Sequence, residues 1–277
     1  MGRPALRHGE GVASRWGESL IASLVRVTLV CVSDQGRLDR AVQNNAHWYD
    51  ALCRTHGIPG ERHPGYWISR GTMLPYMSNL ITLAGAAHAE AQWAAIRSMI
   101  EVDGKLHFSV KDAFQCLDLG SLGFEVLFQA TWIYLAARPR LPDDVGALKW
   151  SIVRSPAELA EWERTWRGTK ASADARGHAP IFLPSLLRDP DLHFLLGKRG
   201  NTSLATAALN RSGDSVGISN VFSDAESVGP LFPGAVRLAT QLHPTLPIVG
   251  YEREAGLIDA ERAGFELLQG LTVWRRS

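Results

Sequence analysis

The sequence lacks a cysteine framework, a membrane-spanning run and an excess of charge of either sign. Its three cysteines, Cys31, Cys53 and Cys116, form no CxxC pair, which argues against a disulfide scaffold and a cysteine-built zinc site. No apolar run reaches the roughly 18–20 residues that cross a bilayer. Lysine and arginine total 29 against 28 acidic residues, so no surplus of positive charge indicates a nucleic-acid partner. We therefore expect a cytoplasmic globular protein without a membrane or nucleic-acid partner.

Two catalytic signatures are also missing. No Gly-x-Ser-x-Gly elbow occurs, so serine-based hydrolysis is not indicated. His47, His56 and His63 are spaced by nine and seven residues, which does not place them on one helix face as metal ligands. We expect no bound metal.

The N-terminal residues differ from the rest of the chain. Residues 1–35 show little periodicity, although Leu20–Val32 is mostly apolar apart from Arg26. We interpret this segment as a tail that is disordered or ends in an added strand. An over-extended start codon is the alternative, because the first organised helix is predicted to begin only near Leu38.

The remaining chain is predicted to form two domains. Residues 36–140 and 150–277 both alternate between strand-like and helix-like patterns. Between them lies 138–144, a charged segment with two prolines and no pattern, as expected of a linker. In the second domain Ser155-Pro156-Ala157-Glu158 is a capping box that starts a helix, and Phe232–Leu242 is a second predicted helix.

Internal repetition is the most informative feature of the sequence. Ser78-Asn79-Leu80 is matched by Ser219-Asn220-Val221, and Gly123-Phe124 is matched by Gly264-Phe265. Both pairs are 141 residues apart, with the same order of predicted elements between them. We therefore predict an α/β (α+β) protein of two units, each a mixed sheet flanked by helices, related by internal duplication.

The second unit resembles the GNAT acyltransferase superfamily over about Trp150 to Arg275. Val216–Phe222 resembles the family's central strand, and Pro247–Glu252 its next, parallel strand. Asp259–Glu266 resembles the helix and Gly-Phe turn that follow. The first unit resembles a worn second copy. The resemblance implies transfer of an acetyl or other acyl group from acyl-coenzyme A to a small amine.

The resemblance also implies a binding site for the co-substrate. In this fold the two parallel strands splay apart, and their free backbone groups hold the pantetheine arm of coenzyme A. The start of the following helix would hold the pyrophosphate. The implied coenzyme A-binding residues are Ser219, Asn220, Val221, Phe222, Gly234 and Ala235.

This sequence departs from the family at its glycine-rich pyrophosphate loop. Gly229 and Gly234 are too far apart to form that loop. Pro230 and Pro233 remove two backbone N–H donors. The sequence therefore leaves open whether coenzyme A binds.

The family's acid position is also altered. Many members place a tyrosine four residues before the Gly-Phe turn, where this chain has Ala260. Tyr251 is the nearest replacement acid and Glu252 the nearest base, although Glu252 could instead cap the next helix. In the first unit Lys111 and Asp112 occupy the aligned region, where an ion pair is the simplest interpretation.

Three functions fit these observations. The first is an active acyl-coenzyme A-dependent N-acyltransferase. The second is a catalytically degenerate GNAT-like protein that binds a ligand or partner, and the third is a GNAT fold reused for different chemistry. We favour the first, with a homodimer as its expected assembly. Binding of acetyl-coenzyme A separates the first from the other two.

Overall fold

The computed structural model describes residues 15–140, 146–172, 179–225 and 228–277, without the side chains of 15–33 and 169–172. The chain divides into two compact units, Met1–Arg37 and Leu38–Ser277. The hydrophobic clusters that pack against the sheet lie in the second unit, as do two cavities lined by its residues.

The helices predicted for residues 150–277 from apolar spacing are present in the structure. Ser155 and Glu158 form the predicted capping box, because the Glu158 N–H donates to Ser155 Oγ at 3.3 Å and the Ser155 N–H donates to Glu158 Oε2 at 3.0 Å. In the described ranges the α-helices are α1 Arg15–Thr55, α2 Ala89–Glu101, α3 Pro156–Ser172, α4 Phe232–Leu242 and α5 Ala255–Arg262.

The strands form one mixed sheet. In the described ranges they are β1 Glu61–Arg62, β2 Tyr66–Ile68, β3 Leu80–Thr82, β4 Phe108–Asp112, β5 Phe124–Leu135, β6 Lys149–Ile152, β7 Leu192–Arg199, β8 Thr202–Ser212, β9 Ser215–Phe222, β10 Ile248–Glu252 and β11 Glu266–Arg276. Their order in the sheet is β1-β2-β3-β4-β11-β5-β10-β9-β8-β7-β6.

The two halves exchange their last strands at the centre of this sheet. β5, the last strand of the first half, pairs antiparallel with β10 of the second half. β11, the last strand of the second half, pairs antiparallel with β4 of the first half. β5 and β11 also pair with each other. The halves therefore share one hydrogen-bonded ladder, and 36–140 and 150–277 do not form separate sheets.

Helices cover both faces of the sheet. On one face α1 and α3 pack in a cluster that includes Trp132 and Val249. On the other face α4 and α5 pack against Ile133 and Ile248, and α2 packs against the first-half strands. Consecutive residues of β5 and β10 thus point to opposite helical layers, as strand geometry requires.

The prediction for the N-terminal segment is wrong in one respect. Leu20–Val32, where we expected an added strand, lies within α1. The helix therefore begins well before Leu38. Residues 1–14 lie outside the described residues. The internal duplication of the two halves stays a prediction.

Candidate active site at the gap between β9 and β10

The parallel strands β9 and β10 separate after two paired positions. Among the described residues they pair only at Val216–Ile248 and Gly217–Val249. On their outer edges β9 continues to pair with β8, and β10 pairs with β5 as far as Glu252–Thr131. Beyond Gly217 and Val249 the described inner edges form no further ladder pairs, and they border the gap expected from the sequence.

A β-bulge at Asn220 lies on β9 beside the gap. Asn220 has a φ of 53°, in the left-handed region that asparagine tolerates better than most residues. The β8–β9 register shifts opposite this bulge, between Thr206 and Ala208. The Thr206 hydroxyl donates to the Asn220 carbonyl at 2.9 Å, and the Ser219 hydroxyl donates to Asn220 Oδ1 at 2.9 Å. These hydrogen bonds stabilise the bulge. Bulges are common next to active sites.

A cavity of about 320 Å³ opens at the gap. One wall is the inner edge of β9 and β10, and the other comes from α1, α3 and the loop before β3. Its aromatic residues include Trp48, Tyr49, Tyr76, Trp166 and Phe182. An apolar cavity with a few polar groups is the usual form of a small-molecule site.

Buried amides fasten α1 to the strands beside this cavity. Asn210 Nδ2 donates to Asn44 Oδ1 at 2.8 Å, and Asn44 Nδ2 donates to the Asn210 carbonyl at 3.2 Å and to Ser215 Oγ at 3.2 Å. Such a reciprocal, buried network fixes the distance between helix and sheet. The first half therefore supplies a rigid wall to the site of the second half.

Tyr251 lies on the α1 face of the sheet and contacts a buried lysine. Lys111 Nζ donates to the Tyr251 hydroxyl at 3.3 Å and to Asn45 Oδ1 at 2.9 Å. The ammonium nitrogen is 4.3 Å from the centroid of the Tyr251 ring and 4.6 Å from that of Tyr49. Burial lowers the pKa of Lys111 to about 7 and raises the pKa of Tyr251. Tyr251 thus keeps its proton at neutral pH.

Glu252 lies on the opposite face, against α5. Its carboxylate occupies the space where a Cβ at Gly256 would lie, and the residue also lines the cavity. Burial raises the pKa of the Glu252 carboxyl to about 7. The two predicted catalytic residues are consecutive on β10, so their side chains point to opposite faces of the sheet.

The start of α4, where we expected the pyrophosphate, carries a carboxylate of the chain itself. Asp259 Oδ2 accepts hydrogen bonds from the N–H groups of Leu231 at 2.7 Å and Phe232 at 3.1 Å. Gly234 and Ala235 are buried, and the Trp150 ring lies against Gly234. An anion can use these N–H groups only after Asp259 leaves them.

The expected ion pair between Lys111 and Asp112 does not form. The two residues are consecutive on β4, so their side chains point to opposite faces. The Asp112 carboxylate instead accepts hydrogen bonds from the backbone N–H groups of Leu117 at 2.8 Å and Phe114 at 3.4 Å.

Asn44 and Asn45 line the cavity but are not predicted as site residues from the sequence, and Lys111 is predicted there only as half of an ion pair. One signal for Lys111 was available, because the 141-residue offset aligns it with Glu252. For Asn44 and Asn45 the sequence predicts only that they lie in a helix. Their role at the site depends on contacts with residues far away in the chain, which no local pattern indicates.

Comparisons with solved structures identify the fold. One similar structure is a GCN5-related N-acetyltransferase from Kribbella flavida, at 14% identity and a TM-score of 0.55, over 86% of this chain and 95% of that chain. This chain has the GNAT fold. A functionally unknown conserved protein from Staphylococcus epidermidis is also similar, at 12% identity and a TM-score of 0.54, over 81% of this chain and 96% of that one.

Sequence comparisons add no closer relative. No protein-family model matches the chain, and no curated protein matches it. In the described ranges no helix is long and apolar enough to cross a membrane, and no three His, Cys, Asp or Glu side chains cluster as metal ligands would. The GNAT fold and the geometry of the gap are therefore the basis for function.

Proposed function

We propose that this chain transfers an acyl group from acyl-coenzyme A to a small amine. The observation that supports this most is the gap between β9 and β10. Backbone groups of Ser219–Phe222 and Gly250–Glu252 border the gap without ladder partners on that edge. Unpaired backbone groups are costly when buried. The amides of a pantetheine arm pair with such an edge as an added strand would.

We assign the two predicted catalytic residues to the two proton transfers of this reaction. The amine nitrogen attacks the thioester carbonyl carbon, and the carbon–sulfur bond breaks. Glu252 takes the proton from the amine across the gap, directly or through a water, and its pKa of about 7 suits a base at neutral pH. Tyr251 donates its proton to the departing thiolate.

Asp259 favours a second candidate function. Its carboxylate holds the N–H groups that a pyrophosphate would use, and its charge repels phosphate. A protein that binds a ligand without the coenzyme A pyrophosphate, and transfers nothing, would keep this arrangement unchanged. Binding of acetyl-coenzyme A distinguishes the two functions.

The test is calorimetric titration of the full chain with acetyl-coenzyme A, followed by an acetyl-transfer assay on small amines. We expect binding below millimolar concentration, weakened roughly tenfold or more by Ser219→Phe, which fills the gap. Thr202→Phe, at an exposed position on β8, is the matched control and should bind as the wild type does. Absence of binding at millimolar concentration, or equal binding by Ser219→Phe, contradicts the proposal.

A further inference from the structure

A second cavity adjoins the first and carries positive charge. It has a volume of about 560 Å³ and lies beside the loop before β3 and the ends of β4 and β11. Tyr49, Tyr76 and Tyr251 line both cavities. The side chains that line the second cavity include no Asp or Glu, whereas its cationic and titratable bases are Lys105, His107, Lys111, Arg275 and Arg276.

Lys111 is the buried base of this cavity. Its side chain is 1% exposed, and its two acceptors, Asn45 Oδ1 and the Tyr251 hydroxyl, are uncharged. An ammonium group has three N–H donors, so one remains without an acceptor among the described residues. A buried ammonium without a carboxylate is costly. A ligand carboxylate would supply both the third acceptor and the missing charge.

Lys111 lies close to the proposed reacting centre. Its nitrogen is 3.3 Å from the Tyr251 hydroxyl, and Tyr251 borders the gap that we assign to the thioester. An acceptor that places an anionic group beside Lys111 therefore has its amine near the gap when the two groups are a few bonds apart. We infer that the acceptor is an amino acid or similar amine that carries a carboxylate, which binds at Lys111 in the second cavity. This inference rests on the proposed acyl transfer for its reaction but not for its binding step.

The first experiment measures acetyl transfer to amino acids and to their matched methyl esters and decarboxylated amines. At least one amino acid should be used with a kcat/KM roughly tenfold or more above those of its matched compounds, as expected for a charge-assisted contact. Equal use of all three members of every set, or preference for the uncharged ones, overturns the inference.

Two variants test whether Lys111 is the residue responsible. Lys111→Met should abolish the preference for the carboxylate and should fold, because an apolar side chain of similar length often replaces a buried charge without loss. Arg275→Gln removes an exposed charge from the same cavity and should keep the preference. Equal weakening by both variants would indicate a diffuse positive field and would overturn the assignment to Lys111.

A binding measurement separates this inference from the proposed function. We would titrate the wild type with the amino acids at pH 8, without acyl-coenzyme A, in two buffers of different ionisation enthalpy. The phenols of Tyr49 and Tyr251 face Lys111 and stay protonated at this pH, because burial raises both pKa values. Because burial lowers the pKa of Lys111 to about 7, binding of a carboxylate at pH 8 should be accompanied by proton uptake.

The outcomes of the two experiments are distinct. Binding with proton uptake that Lys111→Met abolishes supports the inference even where no acetyl transfer occurs. Transfer to simple amines without a carboxylate preference keeps the proposed function and overturns the inference. Absence of binding by every amino acid at millimolar concentration overturns it as well.

Discussion

The two halves of the sheet share an order of elements. In the first half it is β2, β3, α2, β4, a turn and β5, and in the second half β8, β9, α4, β10, α5 and β11. Each half has a glycine with positive φ, Gly123 at 77° and Gly264 at 93°, directly before the buried Phe124 and Phe265. The left-handed conformation explains why glycine stands at both turns.

The halves differ at the end of their parallel strand pair. In the first half the Ala113 N–H donates to Thr82 Oγ1 at 2.8 Å, which ties the end of β4 to the end of β3. The Asp112 carboxylate then binds the backbone N–H groups of the following turn. In the second half the corresponding edges remain apart. In the first half, ladder pairing at Leu80–Val110 and Ile81–Lys111 and the Thr82 contact therefore close the strand ends. At the matched positions, all within the described residues, β9 and β10 do not pair, which leaves space for a ligand.

The largest expected effect distinguishes the half-buried carboxylate of Glu252 from the buried carboxylate of Asp112. Glu252→Gln removes the base and should lower kcat by roughly 10²-fold or more, with little change in acetyl-coenzyme A affinity. In the wild type, kcat/KM should rise with pH through about 7, where Glu252 loses its proton, and this rise should disappear in the variant.

Asp112→Asn is the matched control from the first half. It should keep wild-type turnover and lower the free energy of unfolding by about 1–3 kcal/mol, because it weakens buried hydrogen bonds to backbone N–H groups. Steady-state kinetics and urea denaturation measure both variants. Loss of turnover in Asp112→Asn would show that the first half is also catalytic.

A pH effect on stability tests the buried charge that the first half contributes. The folded-state pKa of Lys111 is about 7, below its ordinary value of 10.5. Between these values the unfolded chain binds more protons, so the free energy of unfolding should rise from pH 7 towards pH 10. The slope from this group is at most about 1.4 kcal/mol per pH unit.

Urea denaturation at pH 7, 8 and 9 measures this slope in the wild type and in Lys111→Met. The stability difference between the two proteins should narrow or reverse as pH rises, since only the wild type gains stability from Lys111. Parallel curves would mean that Lys111 titrates normally.

The smallest expected effect is a change in acetyl-coenzyme A affinity, tested at two aspartates at matched positions of the two halves. The Asp259 carboxylate accepts hydrogen bonds from N–H groups at the start of α4. Asp118 lies 141 residues earlier and is exposed. Within the described residues its carboxylate accepts one hydrogen bond, from the Gly120 N–H at 3.2 Å. Asp259→Asn should strengthen acetyl-coenzyme A binding by several-fold, because it removes a negative charge from the predicted pyrophosphate position. Asp118→Asn should leave the affinity unchanged. Calorimetry measures both, and weaker binding by Asp259→Asn would place the pyrophosphate elsewhere.

Local sequence patterns predicted much of the fold. Phe232–Leu242 was predicted and observed with the same bounds, because apolar spacing and a proline at its start act within one helix. Ser155 and Glu158 likewise form their capping box within four residues. The gap between Ser219–Phe222 and Ile248–Glu252 was also foreseen, but only through the resemblance to a known family.

The tertiary structure alone decided the exchange of β5 and β11, the burial of Lys111 and the contact of Asp259 with the start of α4. Strand exchange depends on pairings between residues more than a hundred positions apart, for which no local propensity exists. A lysine in a strand is usually solvated, and Lys111 is buried because α1 and β10 cover it with aromatic rings. The sequence by itself thus determined the elements and the residue types of the site. Only long-range packing determined which charges are buried beside the gap, because burial depends on what covers a side chain.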